Sequence, residues 1–209
     1  MKHVLFFLLL CILAVAITDK SLTATNTPIP FLLKEINTKS ESSFPSSLVE
    51  MNGIVYFAAH TDEYGQELWR SDGTEAGTYL VKDIRAGITG SLPSNLTVMG
   101  GILYFSADNG SNGNELWRSD GSEAGTYLLK DLLSNESSNP TQFGALNGIL
   151  YFNAQHPDWG YELWRSDGTE TGTYLLHDVV PGAGSSFPKS PIVYNERLFF
   201  AAEKNNTPT

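Results

Sequence analysis

The amino-acid sequence predicts an all-β protein, a partial β-propeller of four-stranded antiparallel blades. A fourteen-residue segment recurs almost unchanged three times, at spacings of 48 and 47 residues. Each period also holds four short runs rich in aromatic and β-branched residues, and no run has a helical period. Four strands in about 48 residues is typical of a propeller blade, whose two faces pack against its neighbours. An open stack of small sheets, a β-solenoid, is the rival architecture.

Residues 1–16 are predicted to be a secretory signal peptide. Lys2 and His3 precede an apolar run that extends to Ile17, and the small-residue pattern Ala14-Val15-Ala16 offers a cleavage site. The run is shorter than the roughly 20 residues with which a helix spans a bilayer. We therefore expect no membrane span after cleavage and a secreted or cell-surface location, with a retained anchor as the alternative.

Charge and cysteine content restrict the partners. The formal net charge is −10 and no basic cluster occurs, which argues against nucleic acid or an anionic membrane as a partner. The only cysteine, Cys11, falls in the signal segment, so a hydrophobic core rather than disulfides must hold the secreted chain together. Cations and neutral ligands such as glycans stay open as partners.

The repeat frame divides the remaining chain. Residues 17–30 are polar, end in two prolines and are predicted to be an extended leader. The repeat region covers residues 31–209, with complete units at about 47–94, 95–141 and 142–189 and partial units at 31–46 and 190–209. Phe31–Ile36 matches Tyr79–Ile84, and is predicted to be the last strand of a preceding repeat. We expect the chain to be a piece of a longer array and to self-associate through its incomplete blade.

The first two strands of each unit are predicted to form a hairpin. Asn52-Gly53 separates two apolar runs and supplies the two positive φ angles of a type I′ turn. The same slot recurs at Gly100-Gly101, Asn147-Gly148 and Asn195-Glu196, each followed by two aromatic residues. A variable loop and a glycine then lead into the third strand, and a Ser-Asp-Gly turn leads into the fourth.

The third and fourth strands carry the repeated segment E-L-W-R-S-D-G-T. Its structural positions are Glu67, Trp69, Asp72, Gly73, Glu115, Trp117, Asp120, Gly121, Glu162, Trp164, Asp167 and Gly168. On these residues the chain resembles the E-L-W-x-x-D-G-T repeat family, found in tandem in exported bacterial proteins. The resemblance implies a propeller-like surface or secreted protein, and it implies no established catalytic activity.

The charged residues of the segment invite both structural and functional hypotheses. Each aspartate is expected to accept backbone N–H groups in an Asx turn, with the next glycine at positive φ; ligand binding is the alternative. The glutamates and the arginines lie in strands that should be buried, where an unpaired charge is costly. We therefore hypothesise that a glutamate of one blade pairs with an arginine of the next.

The variable loops are the positions where specific recognition is expected. His60, Tyr64, Asp158 and Trp159 are the candidate ligand-binding residues. Trp159 would stack on a sugar ring if it is exposed; the alternative is that it packs on its own loop. The loop after Asp108 resembles part of a calcium loop, with Asp108 and Asn112 as candidate ligands. Calcium is thus the one cofactor hypothesis; the histidines occupy non-equivalent repeat positions and do not suggest zinc.

The sequence contains no nucleophile elbow, no paired histidine and acid at useful spacing, and no phosphate loop. We therefore expect a non-enzymatic exported scaffold that binds a glycan or a protein at the cell surface. A fragment of a propeller hydrolase or lyase, with catalytic residues in other blades, is the alternative function. A purely structural domain that supports another region is a third.

Overall fold

The computed structural model describes residues 32–38, 42–134 and 136–204. The predicted signal peptide (1–16), the predicted leader (17–30) and Phe31 lie outside these ranges. Every regular element in the described part is a β-strand, which confirms the all-β prediction. The strands are β1 (Ser46–Met51), β2 (Ile54–Thr61), β3 (Gly65–Ser71), β4 (Tyr79–Lys82), β5 (Ser94–Met99), β6 (Ile102–Asp108), β7 (Asn114–Ser119), β8 (Tyr127–Lys130), β9 (Thr141–Leu146), β10 (Ile149–His156), β11 (Gly160–Ser166), β12 (Tyr174–His177), β13 (Lys189–Tyr194) and β14 (Arg197–Ala201).

The strands form three four-stranded antiparallel sheets and one two-stranded hairpin. Blade 1 is β1-β2-β3-β4, blade 2 is β5-β6-β7-β8 and blade 3 is β9-β10-β11-β12. The last two strands, β13 and β14, pair as a hairpin in the position of the first two strands of a blade. Each strand pairs with the strand next to it in the chain, which is the order that the repeat pattern predicts.

A two-residue turn with positive φ at both positions joins the first two strands of every unit. In blade 1 the φ angles are 55° at Asn52 and 80° at Gly53, and Met51 pairs with Ile54 across the turn. The other three turns also have two positive φ angles, including 48° and 56° at Asn195 and Glu196. The type I′ prediction is therefore confirmed, even where the second residue is not glycine.

The blades meet face to face and converge on their first strands. The first strands β1, β5, β9 and β13 neighbour each other in that order. One core cluster joins Leu68 and Val81 of blade 1 to Phe105 and Trp117 of blade 2. A second cluster repeats this arrangement between blades 2 and 3. Sheets that meet along their inner strands and bury both faces define a propeller, so the predicted partial propeller is confirmed.

The Asp-Gly turns of blades 2 and 3 are each held by the preceding blade. Tyr56 on β2 is only 2% exposed, and its hydroxyl packs against Gly121 in the turn of blade 2. The Lys82 Nζ atom donates a 2.7 Å hydrogen bond to the carbonyl oxygen of Thr126, just after that turn. We call this tyrosine and this lysine the turn clasp. Tyr104 and Lys130 form the equivalent clasp between blades 2 and 3.

The predicted strand over Phe31–Ile36 is wrong for its described residues, because none of residues 32–38 is in a strand. A strand needs a neighbour that accepts its backbone hydrogen bonds, and this segment has none in the described part. Its place in the repeat is nevertheless that of a fourth strand. Lys34 Nζ donates to the carbonyl oxygen of Thr78 at 2.6 Å, as Lys82 does to Thr126, and Ile36 packs against a cluster that contains Trp69.

Substitutions at two glycines distinguish the energetic cost of backbone strain from the cost of a steric clash between blades. Gly73 has a φ of 89° and open space where a Cβ would stand, whereas Gly121 has a φ of 93° and the Tyr56 hydroxyl in that space. We expect Gly73→Ala to lower the free energy of unfolding by about 1–2 kcal/mol through strain alone. Gly121→Ala should cost a further 1–3 kcal/mol, approximately, through overpacking.

Urea unfolding of the two variants measures both terms. Adding Tyr56→Phe to Gly121→Ala should recover part of the extra cost, because the phenylalanine lacks the clashing hydroxyl. Equal losses for Gly73→Ala and Gly121→Ala would contradict the blade contact.

Candidate functional site

The glutamate of the repeated segment is a fully buried carboxylate in every blade. Glu67, Glu115 and Glu162 are each 0% exposed. The Glu115 Oε2 atom accepts hydrogen bonds from the Leu132 backbone N–H at 3.0 Å and from the Ser138 hydroxyl at 2.6 Å, and Oε1 accepts from the Ser138 N–H at 2.7 Å. A carboxylate enclosed in this way is structural, because no substrate can reach it.

The donors to this carboxylate all come from the linker between two blades. In blade 1 they are Arg85 N–H at 3.0 Å and Ser91 N–H at 2.9 Å, both to Glu67 Oε1, and the Ser91 hydroxyl to Oε2. Glu162 accepts from Val179, Val180 and Ser186 in the same manner. We call each glutamate with its linker serine a linker staple. The staple satisfies a buried charge with backbone and hydroxyl donors instead of a cation.

Burial and hydrogen bonding act on the staple in opposite directions. Desolvation raises the pKa of Glu115 from 4.5 to about 7, although the hydrogen bonds from Ser138 and Leu132 lower it and the nearby Asp131 carboxylate raises it. Burial also raises the pKa of Glu67, against the hydrogen bonds from Ser91 and the linker backbone. The cost of burying the charge therefore exceeds what the donors return.

The linker serine was missed by the sequence reasoning, although a signal for it exists. Ser-x-Pro recurs at Ser43, Ser91, Ser138 and Ser186, with the spacing of the whole repeat. The serine also contacts the next blade, because its carbonyl oxygen accepts a backbone N–H at or near the end of the second strand of that blade. These bonds run from Asp108 to Ser91 at 3.0 Å and from Gln155 to Ser138 at 2.8 Å. One serine thus connects two blades.

The aspartate of each turn has the predicted structural role. Asp72 Oδ1 accepts the Thr74 N–H at 2.9 Å and the Thr74 hydroxyl at 2.7 Å, and the hydroxyl hydrogen bond is the main cause of a lowered pKa at Asp72. Gly73 takes the predicted positive φ. Asp120 and Asp167 repeat this Asx turn with Ser122 and Thr169. All three turns are therefore held by their own hydrogen bonds, and those of blades 2 and 3 are also held by the preceding blade.

The hypothesis that a glutamate pairs with an arginine of the next blade is wrong. The Arg70 guanidinium lies over the ring of Tyr79, its cross-strand neighbour, with 5.0 Å between Cζ and the ring centroid. Arg118 and Arg165 stack in the same way on Tyr127 and Tyr174. The two charges do not meet because the glutamate oxygens accept hydrogen bonds from the linker, as Glu115 does from Leu132 and Ser138, while each arginine stacks on a tyrosine of its own blade.

The candidate ligand-binding residues lie at the same end of two different blades. His60 is near the end of β2 and Tyr64 is in the β2–β3 connection of blade 1, whereas Asp158 and Trp159 are in the β10–β11 connection of blade 3. The prediction that His60 is a loop residue is therefore wrong. Tyr64 donates its backbone N–H to the Thr61 hydroxyl at 3.1 Å, and His60 Nε2 lies 4.0 Å from Asp62 Oδ1. The structure therefore separates the two pairs by the whole of blade 2 and does not bring them into one site.

Trp159 is partly covered by its own blade. Its ring stacks on His156 with 4.1 Å between centroids and meets the edge of Trp164 at 6.0 Å. The Asp158 N–H closes the loop by donating to His156 Nδ1 at 3.2 Å. The alternative to sugar stacking, in which Trp159 packs on its own loop, describes this arrangement. One ring face of Trp159 is thus already used inside the protein.

The oxygen atoms of the calcium-like loop are engaged by nitrogen donors. Asp108 Oδ1 accepts the Gly110 N–H at 2.6 Å, and its Oδ2 atom forms an ion pair with Arg85. Asn112 Oδ1 accepts from Asn109 Nδ2 at 2.9 Å, while Asn112 Nδ2 donates to Asp131. Asp108 and Asn112 therefore stabilise the loop and its contact with the linkers, and a bound calcium would have to displace the Arg85 side chain.

No group of three or more histidine, cysteine, aspartate or glutamate side chains in the described part of the chain is placed to hold a metal ion. Likewise, no helix among the described residues is long and apolar enough to cross a membrane.

The raised pKa of Glu115 predicts a pH dependence of stability. The folded protein binds a proton here more tightly than the unfolded chain, so the associated stability is present below pH 4.5 and is lost as the pH rises towards and through about 7. We expect the free energy of unfolding to fall by on the order of 2 kcal/mol between pH 5 and pH 8. The turn aspartates have lowered pKa values, so they change the free energy of unfolding only at more acidic pH.

Urea unfolding at each pH of the wild type and of Glu115→Gln tests this dependence. The variant should be less stable at pH 5, because its amide group faces N–H donors, but should lose less stability by pH 8. An identical pH slope in both proteins would refute the assignment to Glu115.

The linker staple predicts that one buried hydroxyl carries much of the blade connection. Ser138→Ala removes the 2.6 Å hydrogen bond to Glu115 and should lower the free energy of unfolding by about 1–3 kcal/mol. Ser134→Ala is the matched control, because Ser134 lies in the same linker and is exposed; it should change stability by less than about 0.5 kcal/mol. Equal effects in thermal or urea unfolding would contradict the staple.

Comparisons with known proteins give a distant likeness to one enzyme. No family model matches the chain, and no curated protein matches it. Among solved structures, a puromycin hydrolase, as an S511A mutant in complex with PGG, is similar over 74% of this chain, with 14% sequence identity and a TM-score of 0.32. The chain corresponds to 33% of the length of that enzyme.

Proposed function

We propose that this protein is a non-catalytic exported repeat scaffold, whose variable loops bind a glycan or a protein outside the cell. The observation that supports this is the engagement of the repeated charged groups. The glutamates hold linkers, the aspartates hold turns, the arginines stack on tyrosines, and Lys34, Lys82 and Lys130 hold the next turn. Groups with these internal duties are not available as acids, bases or nucleophiles.

The loops between the second and third strands are where the blades differ from each other. Residues 60–64 are His-Thr-Asp-Glu-Tyr and residues 155–159 are Gln-His-Pro-Asp-Trp, on identical hairpin positions. A rigid repeat that presents different short loops at one end is a common arrangement for binding. The predicted signal peptide and the resemblance to the E-L-W-x-x-D-G-T family favour an exported, bacterial protein that acts at the cell surface.

A loop exchange tests the proposal on its own scaffold. Residues 155–159 are replaced by the sequence of residues 60–64, which has the same length and stands at the same hairpin position. We expect retention on at least one member of a panel of immobilised neutral polysaccharides and extracellular proteins to fall about tenfold. The melting temperature should shift by no more than a few degrees, because the inserted sequence has the same length and comes from the equivalent position of another blade.

Ile88→Ala is the control, because Ile88 is 75% exposed in a linker. It should leave retention unchanged. A double variant also replaces residues 60–64 by the sequence of residues 155–159. Retention that is unchanged in this double variant would contradict loop-mediated binding. Release of soluble products from a panel polysaccharide or protein would contradict the non-catalytic proposal.

A further inference from the structure

We propose that blade 3 and the β13–β14 hairpin form an acceptor site for a further strand-turn-strand segment of the E-L-W-x-x-D-G-T type. The incoming segment would add the third and fourth strands to β13 and β14 and place its Asp-Gly turn against blade 3. This interaction goes beyond the proposed loop binding, since it uses the edge of the hairpin and the face of the last blade rather than the loops.

The first argument is that blade 3 carries clasp positions with no turn to hold among the described residues. Tyr151 occupies the position of Tyr56 and Tyr104; it is half-buried, whereas those two are 2% exposed. His177 replaces the clasp lysine and is exposed. The side chains that hold a turn in blades 1 and 2 therefore face an open surface in blade 3.

The arginine of the repeated segment shows the same difference. Arg118 of blade 2 donates from Nη1 to the carbonyl oxygen of Gly168 in the turn of blade 3, at 3.0 Å. The equivalent Arg165 Nη1 atom donates instead to the Tyr174 hydroxyl of its own blade at 3.3 Å. An incoming Asp-Gly turn would offer Arg165 the carbonyl partner that Arg118 has.

The second argument is the edge of β14. The corresponding strands β2, β6 and β10 each pair on both sides, and β14 pairs only with β13 in the described part of the chain. Phe57, Phe105 and Phe152 are fully buried opposite a tryptophan of the third strand. Phe200 has their position after the turn but is 37% exposed, and its neighbour Phe199 is 50% exposed. An apolar strand with an unpaired edge is a template for a further strand.

The third argument is that the hairpin already stands where a blade begins. Ser186 binds Glu162 through its N–H and hydroxyl, and its carbonyl oxygen accepts the Glu203 N–H at 2.6 Å. Ser91 and Ser138 make the same connection into blades 2 and 3. The site therefore continues an interface that occurs twice within the chain, which specifies the chemistry of its occupant: a segment with leucine and tryptophan on opposite faces and glycine in the turn.

The test uses a labelled peptide with the sequence of residues 114–130, added to the purified chain. We expect saturable binding by fluorescence anisotropy. In blade 2, Leu116 packs towards blade 3 and Trp117 towards blade 1. A peptide with these two residues exchanged has the same composition and charge but places tryptophan on the wrong face, and it should bind about tenfold more weakly.

Variants of the chain locate the site. Phe200→Lys should weaken binding of the original peptide by about tenfold, because it removes the aromatic partner of tryptophan at an already exposed position. Tyr151→Ala should also weaken it, and Ile88→Lys, a charge introduced at a distant exposed position, should not. A dimer of the chain that the peptide dissociates would support the same site, with a second copy as donor. No saturable binding, equal binding of both peptides, or unaffected binding to Phe200→Lys would overturn the proposal.

Discussion

The linker staple is the constraint on which the rest of the structure depends. A carboxylate buried without partners is costly, and here Glu67, Glu115 and Glu162 are enclosed completely. The burial of each carboxylate is compatible with a stable fold only if the linker supplies it with several hydrogen-bond donors. The staple therefore fixes the path of the chain from the fourth strand of one blade to the first strand of the next, and the position of each blade follows from the one before it.

The staple also explains the period of the repeat. The separation between glutamate and linker serine is 24 residues in blade 1, 23 in blade 2 and 24 in blade 3. The single shorter separation lies in the unit whose neighbouring tryptophans, Trp117 and Trp164, are 47 rather than 48 residues apart. A residue can be lost from the linker between its two anchors, because neither anchor moves. The same loss inside a strand would shift every later side chain to the other face.

Local features of the sequence predicted most of the fold. The conformation of a type I′ turn depends only on the residues in the turn. Asn52-Gly53 therefore predicts a hairpin whatever surrounds it. The Asx turn at Asp72 is equally local. The predicted strand at Phe31–Ile36 fails for the opposite reason, since a strand exists only where a neighbour pairs with it. Its lysine still binds the next turn, because that contact needs one side chain and not a ladder.

The candidate site was less predictable, because its contacts cross between blades or linkers. The sequence shows that Glu115 needs a partner, but it favours an arginine, since opposite charges are the familiar solution. The actual donors are backbone N–H groups and Ser138, which look like any other polar groups of the linker in the sequence. Only the recurrence of Ser-x-Pro at the spacing of the repeat distinguishes this serine from the others. In the same way, the sequence leaves open whether Trp159 is exposed or packs on its own loop. Its stacking on His156 depends on the hydrogen bond by which the Asp158 N–H closes the loop.

The division of labour among these residues bears on how such a protein can change. The staple and the clasp join the repeated segment to the linker serine and to the tyrosine and lysine of the preceding blade. A substitution at these positions therefore affects the neighbouring blade, as one at Gly121 would through Tyr56. The loops between the second and third strands contact chiefly their own blade and its adjoining linkers. Their sequences can therefore differ while the strands beside them keep register, as residues 60–64 and 155–159 demonstrate. The variable loops and the repeated architecture are thus separated physically, by which contacts cross from one blade to the next.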